Sequence, residues 1–351
     1  VTRLFAHATR RQAPGQISYV APIRYEAAHG LVADVYAQVE RDFGLLAPPV
    51  ILHAPAPDVL AAAWALLRET LVAGDPARRA VKEAVAAGVS RANTCPYCVD
   101  VHGAMLFGLA RDADAAAVAA GRFDAVGDRR LREAVTWAAR TGTDPRAPAP
   151  VEDAHRAETT GVALAFHYYN RMVSVFLPGS PFPPGASPRV RGGLSRVVGR
   201  TMRSSARRAY PPGAALPLLP ADTAAPAGSG AVWAAGDPVI TETFARVAAV
   251  LAAAGERSLP GTVRALVTER VAAWDGKAPP LAGDPLGGAL DALPEADRPA
   301  GRLALLTALA AYRVDDRVVA DFRATAPDDA TLVEAVAWSA FTAACRVGAA
   351  V

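Results

Sequence analysis

The chain has 351 residues, 52% apolar and 20% charged, with a formal net charge of +3. This excludes a mainly disordered chain, which needs few apolar residues and a high net charge, and the small charge excess does not mark a nucleic-acid binder. No apolar run approaches the ~18–20 residues that span a bilayer, and Val1-Thr2-Arg3-Leu4-Phe5 holds no signal-peptide core. Three cysteines are no disulfide framework, so the expectation is a cytoplasmic protein with no membrane and no nucleic-acid partner.

Much of the apolar content is alanine, and aromatic residues make up 7%. Alanine loses no side-chain entropy in a helix, and the β-branched and aromatic clusters that suit sheets are sparse. The predicted fold class is therefore all-α, with about two domains at the usual ~100–200 residues each.

Residues 1–50 read as an N-terminal arm punctuated by Pro22, Gly30, Gly44 and Pro48-Pro49, with one helix from Leu31 to Phe43. After the break at His53-Ala-Pro-Ala-Pro57, Asp58 caps a helix to about Leu71. Here His53 marks a helix start. Pro76 opens the next helix, over residues 77–92. Further helices are predicted over 95–110, Asp128–Arg140 and Ala154–Phe176, which completes a domain over 51–178. Trp64, Trp137, Trp233, Trp274 and Trp338 read as core anchors, and Cys345 as a small buried hydrophobe.

Residues 179–230 read as a Pro-, Gly- and Arg-rich linker; no acidic residue falls between Leu177 and Ala221. Within it, Arg189, Arg196, Arg200, Arg203 and Arg207 share one helical face, and Val190, Leu194, Val197, Val198 and Met202 another. Such a helix either touches a membrane, nucleic acid or partner, or is a solvated connector. Gly192, Gly193 and Gly199 weaken it, at about 1 kcal/mol each relative to Ala.

Residues 231–351 return to Ala-rich helices and read as a degenerate second repeat. Asp237-Pro-Val-Ile-Thr-Glu-Thr-Phe244 follows the pattern of Ala56-Pro-Asp-Val-Leu-Ala-Ala-Ala-Trp64, and Ala340-Phe341 with Arg346 parallels Ala165-Phe166 with Arg171. This half carries no C-x-x-C. Arg171 is expected to pair with a carboxylate.

The sharpest local signal is Thr94-Cys-Pro-Tyr-Cys-Val-Asp-Val-His102. Cys98 and His102 are four residues apart, so a helix puts them on one face. Pro96 suits the first helical turn and places Cys95 at the helix N-terminus, where the dipole favours a thiolate. Imidazole is positioned to accept the Cys98 proton. Glu83 lies twelve residues before Cys95, so a helical hairpin brings its carboxylate to His102, directly or through a water, as an orienting third member. In the resulting chemistry one cysteine attacks a peroxide oxygen and becomes a sulfenic acid. The other condenses with it to a disulfide, which a reductant reopens.

Glu83, then Cys95-x-x-Cys98, then His102 resembles the motif of the carboxymuconolactone decarboxylase superfamily, and more closely its alkylhydroperoxidase D-like branch. The segment from His53 to Ala73 and the run His167-Tyr-Tyr-Asn-Arg171 fit its flanks, so the resemblance covers roughly residues 30–178. It implies an alkylhydroperoxidase D-like helical fold, a homo-oligomer, and reduction of a small hydroperoxide with Cys98 peroxidatic, Cys95 resolving and Glu83 with His102 as proton relay. It implies no bound cofactor, and an external dithiol electron donor, a lipoyl-bearing or thioredoxin-like protein. Tyr97, His167 and Asn170 are pocket candidates. Tyr97 stands where the peroxidase type member has a histidine, and tyrosine is no base near neutral pH.

Four other readings compete. Cys-Pro-Tyr-Cys also resembles glutaredoxin, whose fold needs a strand before the cysteines. The four site residues offer zinc ligands, without the second pair that structural zinc prefers. A non-redox member of the superfamily, such as a lactone decarboxylase, is the third, and a two-repeat scaffold with a vestigial site is the fourth.

Overall fold

The computed structural model describes residues 10–177, 179–183, 185–221, 232–277, 279, 286 and 288–347. The expectations for Val1–Phe5 and for the end of the linker, 222–230, lie outside the described residues. Helices account for all the regular structure described, as predicted; the only β feature there is an isolated bridge between Gly74 and Tyr210.

The first half contains α1 (Gly30–Asp42), α2 (Pro57–Leu67), α3 (Arg79–Ala92), α4 (Pro96–Leu109), α5 (Asp112–Ala119), α6 (Arg129–Ala138) and α7 (Arg156–Phe176). All but α5, which the sequence reading did not foresee, match the predicted helices to within about a turn, the ordinary uncertainty of a helix end. The helix after His53 differs in two respects: its N-cap is Ala56, with Asp58 in the first turn and no side-chain cap, and α2 passes into a π-helical turn over Arg68–Val72. Nearly every residue of α7 is buried. A helix apolar all round belongs at the centre of a core, and α7 packs on α3 from one half and α13 (Asp329–Ala344) from the other.

Between the halves lies α8 (Pro188–Ala206), opened by the Ser187 side chain accepting from the Val190 N–H. Composition alone reads this region as a linker interrupted by glycines. The structure shows why one of them, Gly199, is there, together with Gly108 of α4. A Cβ on Gly199 would lie 2.3 Å from the Ala104 carbonyl oxygen, and one on Gly108 would lie 2.3 Å from that of Gly199. The small residues allow α8 to cross α4 backbone to backbone. Met202 is buried there, while Val190 and Val197 stay exposed, so the apolar face foreseen for this helix is only partly used.

The second half comprises α9 (Pro238–Ser258), α10 (Gly261–Ala273), α11 (Arg298–Ala310), α12 (Asp316–Arg323) and α13. Asp237, Asp315 and Asp328 cap α9, α12 and α13, accepting N–H groups that have no partner within the helix. By length and composition α9 would suffice to cross a membrane, contrary to the sequence expectation, because its alanines raise its hydropathy over 21 residues. Half of that stretch is buried, and α9 packs on α2 and α13. The main apolar core runs without interruption through both halves, and a smaller one lies among α3, α4, α5 and α6. Trp64, Trp137 and Trp233 are buried as anchors; Trp274 and Trp338 are only partly buried.

Candidate active site

The turn between α3 and α4 is a helix C-cap fused to a helix N-cap. The Thr94 N–H donates to Arg91 O at 3.2 Å and the Cys95 N–H to Ser90 O at 2.9 Å. This is the 5→2 and 6→1 pair of a Schellman motif. The motif needs a left-handed residue, here Thr94 at φ 53°, a conformation that costs a β-branched residue about 1 kcal/mol or more. Cys95 is at once the end of that motif and the N-cap of α4, with Pro96 in the first turn. The hairpin is thereby fixed at the residue where the chemistry begins.

Across the hairpin, His102 Nδ1 lies 2.6 Å from Glu83 Oε2, a direct contact. The other carboxylate oxygen accepts from Arg79 Nε at 2.7 Å. Burial pushes the Glu83 carboxyl up, but the Arg79 charge and then His102 pull it further down, below the ordinary carboxylate range. A carboxylate on Nδ1 makes that nitrogen the donor and leaves Nε2 as the lone-pair nitrogen. The imidazole is further held edge-on against the Phe166 ring, centroids 4.4 Å apart.

Cys98 and His102 line one cavity of about 140 Å³, walled by Phe43, Leu67, Met105, Phe166 and Tyr169, with Val198 and Met202 from α8. No hydrogen bond joins Cys98 to His102 among the described residues; the thiol instead meets Cys95, Asn170 and Ser90. Burial pushes the Cys98 thiol well up, Cys95 adds to the rise, and Asn170 and Ser90 oppose it. The helix-terminus argument expects a thiolate at this motif. At Cys98 desolvation works against it, so the site needs its proton acceptor. Both cysteines are buried, and no disulfide joins them in this structure.

Behind Cys98 runs a polar chain. Asn170 Nδ2 donates to Ser90 Oγ (3.0 Å), and Asn93 Nδ2 donates to Asn170 Oδ1 (2.9 Å) and meets His167 Nδ1 (3.1 Å). Thr141 Oγ1 donates to Ala138 O, so it must accept from His167 Nε2 at 2.9 Å. His167 is thus the Nε2–H tautomer; burial, and then the Arg171 charge, push it well below the usual imidazole range.

The structure therefore brings Glu83, Cys95, Cys98 and His102 together. Tyr97 lines the cavity, where burial and then the two cysteines push its hydroxyl up, away from any role as a base. Asn170 reaches Cys98 from behind, whereas His167 lines none of the described cavities and acts only through Asn93. Among the described residues Arg171 pairs with no carboxylate: its N–H groups go to the carbonyls of Ala308 (2.9 Å) and His167 (2.6 Å), and its guanidinium faces the Trp274 ring. Sequence reasoning missed Arg79, Ser90, Asn93 and Thr141. Arg79 was signalled by its i,i+4 spacing to Glu83, and Ser90 by lying two turns beyond Glu83 on the same face; Asn93 and Thr141 carried no signal. Cys345 is partly buried, and burial pushes its thiol up to about 12.

An all-α hairpin carrying a buried dithiol beside a carboxylate-held imidazole defines a helical thiol-redox class. The element before Cys95 is the helix α3 and no strand occurs among the described residues, which excludes the glutaredoxin arrangement. Both Glu83 oxygens are engaged, and among the described residues no group of three or more His, Cys, Asp or Glu is arranged to hold a metal ion.

The sequence profile of the carboxymuconolactone decarboxylase family matches residues 58–149. The chain is also 37% identical over 332 residues to the alkyl hydroperoxide reductase Rv2159c of Mycobacterium tuberculosis strain H37Rv, covering 95% of this chain and 94% of that one. No solved structure matches. The chain belongs to the carboxymuconolactone decarboxylase family, in its alkylhydroperoxidase D-like branch.

Proposed function

We propose that this protein reduces organic hydroperoxides through a Cys95–Cys98 dithiol/disulfide cycle. The observation that carries the reading is that Cys98 and a Glu83-held His102 face the same apolar cavity. His102 Nε2 takes the Cys98 proton. The thiolate attacks the terminal hydroperoxide oxygen, the O–O bond breaks, and the alkoxide leaves with the proton that His102 returns. Cys98 is then a sulfenic acid; Cys95 condenses with it, releasing water. The apolar walls favour an alkyl hydroperoxide over hydrogen peroxide, because a hydrocarbon tail gains by leaving water. The relative's name, alkyl hydroperoxide reductase, agrees with this.

An external dithiol donor, lipoyl-bearing or thioredoxin-like, then reduces the disulfide. A cytoplasmic homo-oligomer completes the reading, and size-exclusion chromatography with light scattering tests the assembly. We also read residues 231–351 as a degenerate repeat, because α9 packs on α2 and α13 on α7, the pairs that the sequence patterns match. The test of the function is consumption of cumene hydroperoxide with a dithiol supplied. Cys98→Ser is expected to lose at least about a thousandfold in turnover with its circular dichroism unchanged; retained turnover contradicts the assignment.

A further inference from the structure

Arg171 and Arg346 follow Ala165-Phe166 and Ala340-Phe341 at the same spacing, one in each half of the chain. Both guanidinium groups face the ring of Trp274, with Cζ 5.7 and 5.1 Å from its centroid. The segment that carries Trp274 is seated on the first half, since a Cβ on Gly276, at φ +82°, would collide with the Gly142 carbonyl oxygen. Two cations are thereby held on one indole where the halves meet.

A buried charge is normally paired, and this pair of cations has no carboxylate bonded to it among the described residues. Arg171 is 7% exposed. Its Nε and Nη1 donate to the carbonyls of Ala308 and His167, and its Nη2 donates to nothing among the described residues. Arg346 donates to the Gly142 carbonyl at 3.4 Å, and Asp275, the carboxylate that opposes its charge, pairs with Lys277 at 3.2 Å. Burial pushes Arg171 down to about 10, and the Arg346 charge adds to the fall. Arg171 lines a cavity of about 60 Å³ with Asn93, Thr94, Ser174, Trp274 and Tyr312. Thr94 and Tyr312 are exposed, so the cavity is open to solvent. The Trp274 indole N–H is committed to Lys277 O (2.8 Å), and Asn93 Nδ2 to Asn170 and His167. The hydroxyls of Thr94 and Ser174 make no hydrogen bond among the described residues, and no acidic residue there lines the cavity. It shares no lining residue with the cavity of Cys98.

We propose that this cavity binds a small oxyanion, a phosphate or a carboxylate, as the counter-ion of Arg171. The anion accepts from Arg171 Nη2 and from the Ser174 and Thr94 hydroxyls. A guanidinium donates to phosphate and carboxylate oxygens in strong, charge-assisted hydrogen bonds, and partial exclusion of water strengthens the attraction. Arg346 lies outside the cavity and acts through its charge alone. With room for about four waters, the space suits a phosphate-sized group and is too small for a nucleotide base. The site uses neither thiol, so it stands or falls independently of the dithiol cycle.

The test is equilibrium dialysis of the full chain against radiolabelled inorganic phosphate and, separately, radiolabelled acetate, with sodium chloride holding the ionic strength constant. Saturable binding of one anion per chain is expected, with half-saturation at about 1 mM; the tighter of the two names the headgroup of the ligand. On saturation the indole N–H resonance of Trp274, assigned with Trp274→Phe, is expected to shift. Arg346→Gln, at a half-buried residue outside the cavity, is expected to weaken binding about fivefold. Arg171→Gln is expected to abolish it with the circular dichroism unchanged. Should Arg171→Gln fail to fold, Ser174→Ala, which removes only a hydroxyl, carries the test with an expected loss of about fivefold. The absence of saturable binding for both anions overturns the proposal. So does binding that is as tight in Arg346→Gln and Ser174→Ala as in the wild-type protein, which places the anion elsewhere.

Discussion

Two clusters of buried charge lie close together in the first half, and they are finished differently. Arg68 donates to Asp42 (2.7 Å), Glu69 (2.6 Å) and the Pro211 carbonyl (3.2 Å). Glu69 in turn accepts the N–H groups of Gly213 (2.7 Å) and Ala215 (2.8 Å). That cluster is closed: it ties the end of α2 to the segment after α8. The Arg79–Glu83–His102 cluster is open at one end, since His102 turns Nε2 away from Glu83 and lines the cavity that Cys98 shares. Buried charge alone does not identify a site here. The diagnostic feature is a charged chain that ends on an uncommitted nitrogen beside a thiol.

Breaking each cluster sharpens the contrast. Arg68→Ala leaves Glu69 buried without its counter-ion and Asp42 with only the half-exposed Arg41. It is expected to cost about 3–5 kcal/mol of stability, read from the urea midpoint, with the thiols of the folded fraction still reacting with hydroperoxide. Glu83→Gln is expected to act chiefly on rate, lowering turnover about a hundredfold and moving the pH–rate profile, because the imidazolium loses its counter-charge. An unmoved profile shows that Glu83 does not serve the relay.

A smaller effect belongs to His53, a buried histidine with no part in the reaction. It is held by Val50 O (3.0 Å) and the Tyr168 hydroxyl (2.8 Å), and burial pushes it down to about 4, against the opposing carbonyls of Val50 and Pro49. Its unfolded value is near 6.5, so the stability it contributes is fully present above that pH and is lost as pH falls toward 4. Between pH 6.5 and 5 the loss is about 2 kcal/mol. His53→Gln, which cannot protonate, is expected to flatten that part of the urea-midpoint profile; a profile identical to the wild-type one contradicts the attribution.

Most of the hairpin was legible in the sequence, because helical periodicity and a proline-marked start suffice to face Glu83, Cys98 and His102 together. The polar chain behind Cys98 was legible only in part. It depends on Ser90, Asn93, Thr141, His167 and Asn170 meeting across two helices and two turns, and local spacing carries no sign of Asn93 or Thr141. The docking of α8 was misread in kind: Gly199 was counted as lost helix propensity, whereas with Gly108 of α4 it is the condition for close approach. Arg171 was expected to pair with a carboxylate. The structure supplies carbonyls instead, one of them from the second half.

The most direct test of the central claim is intact mass of the reduced protein before and after one equivalent of cumene hydroperoxide, with the product mapped by proteolysis. The account predicts the loss of two hydrogens, located to a Cys95–Cys98 disulfide and reversed by a dithiol. An unchanged mass, or an oxygen added at Cys345 with Cys95 and Cys98 still reduced, would contradict it.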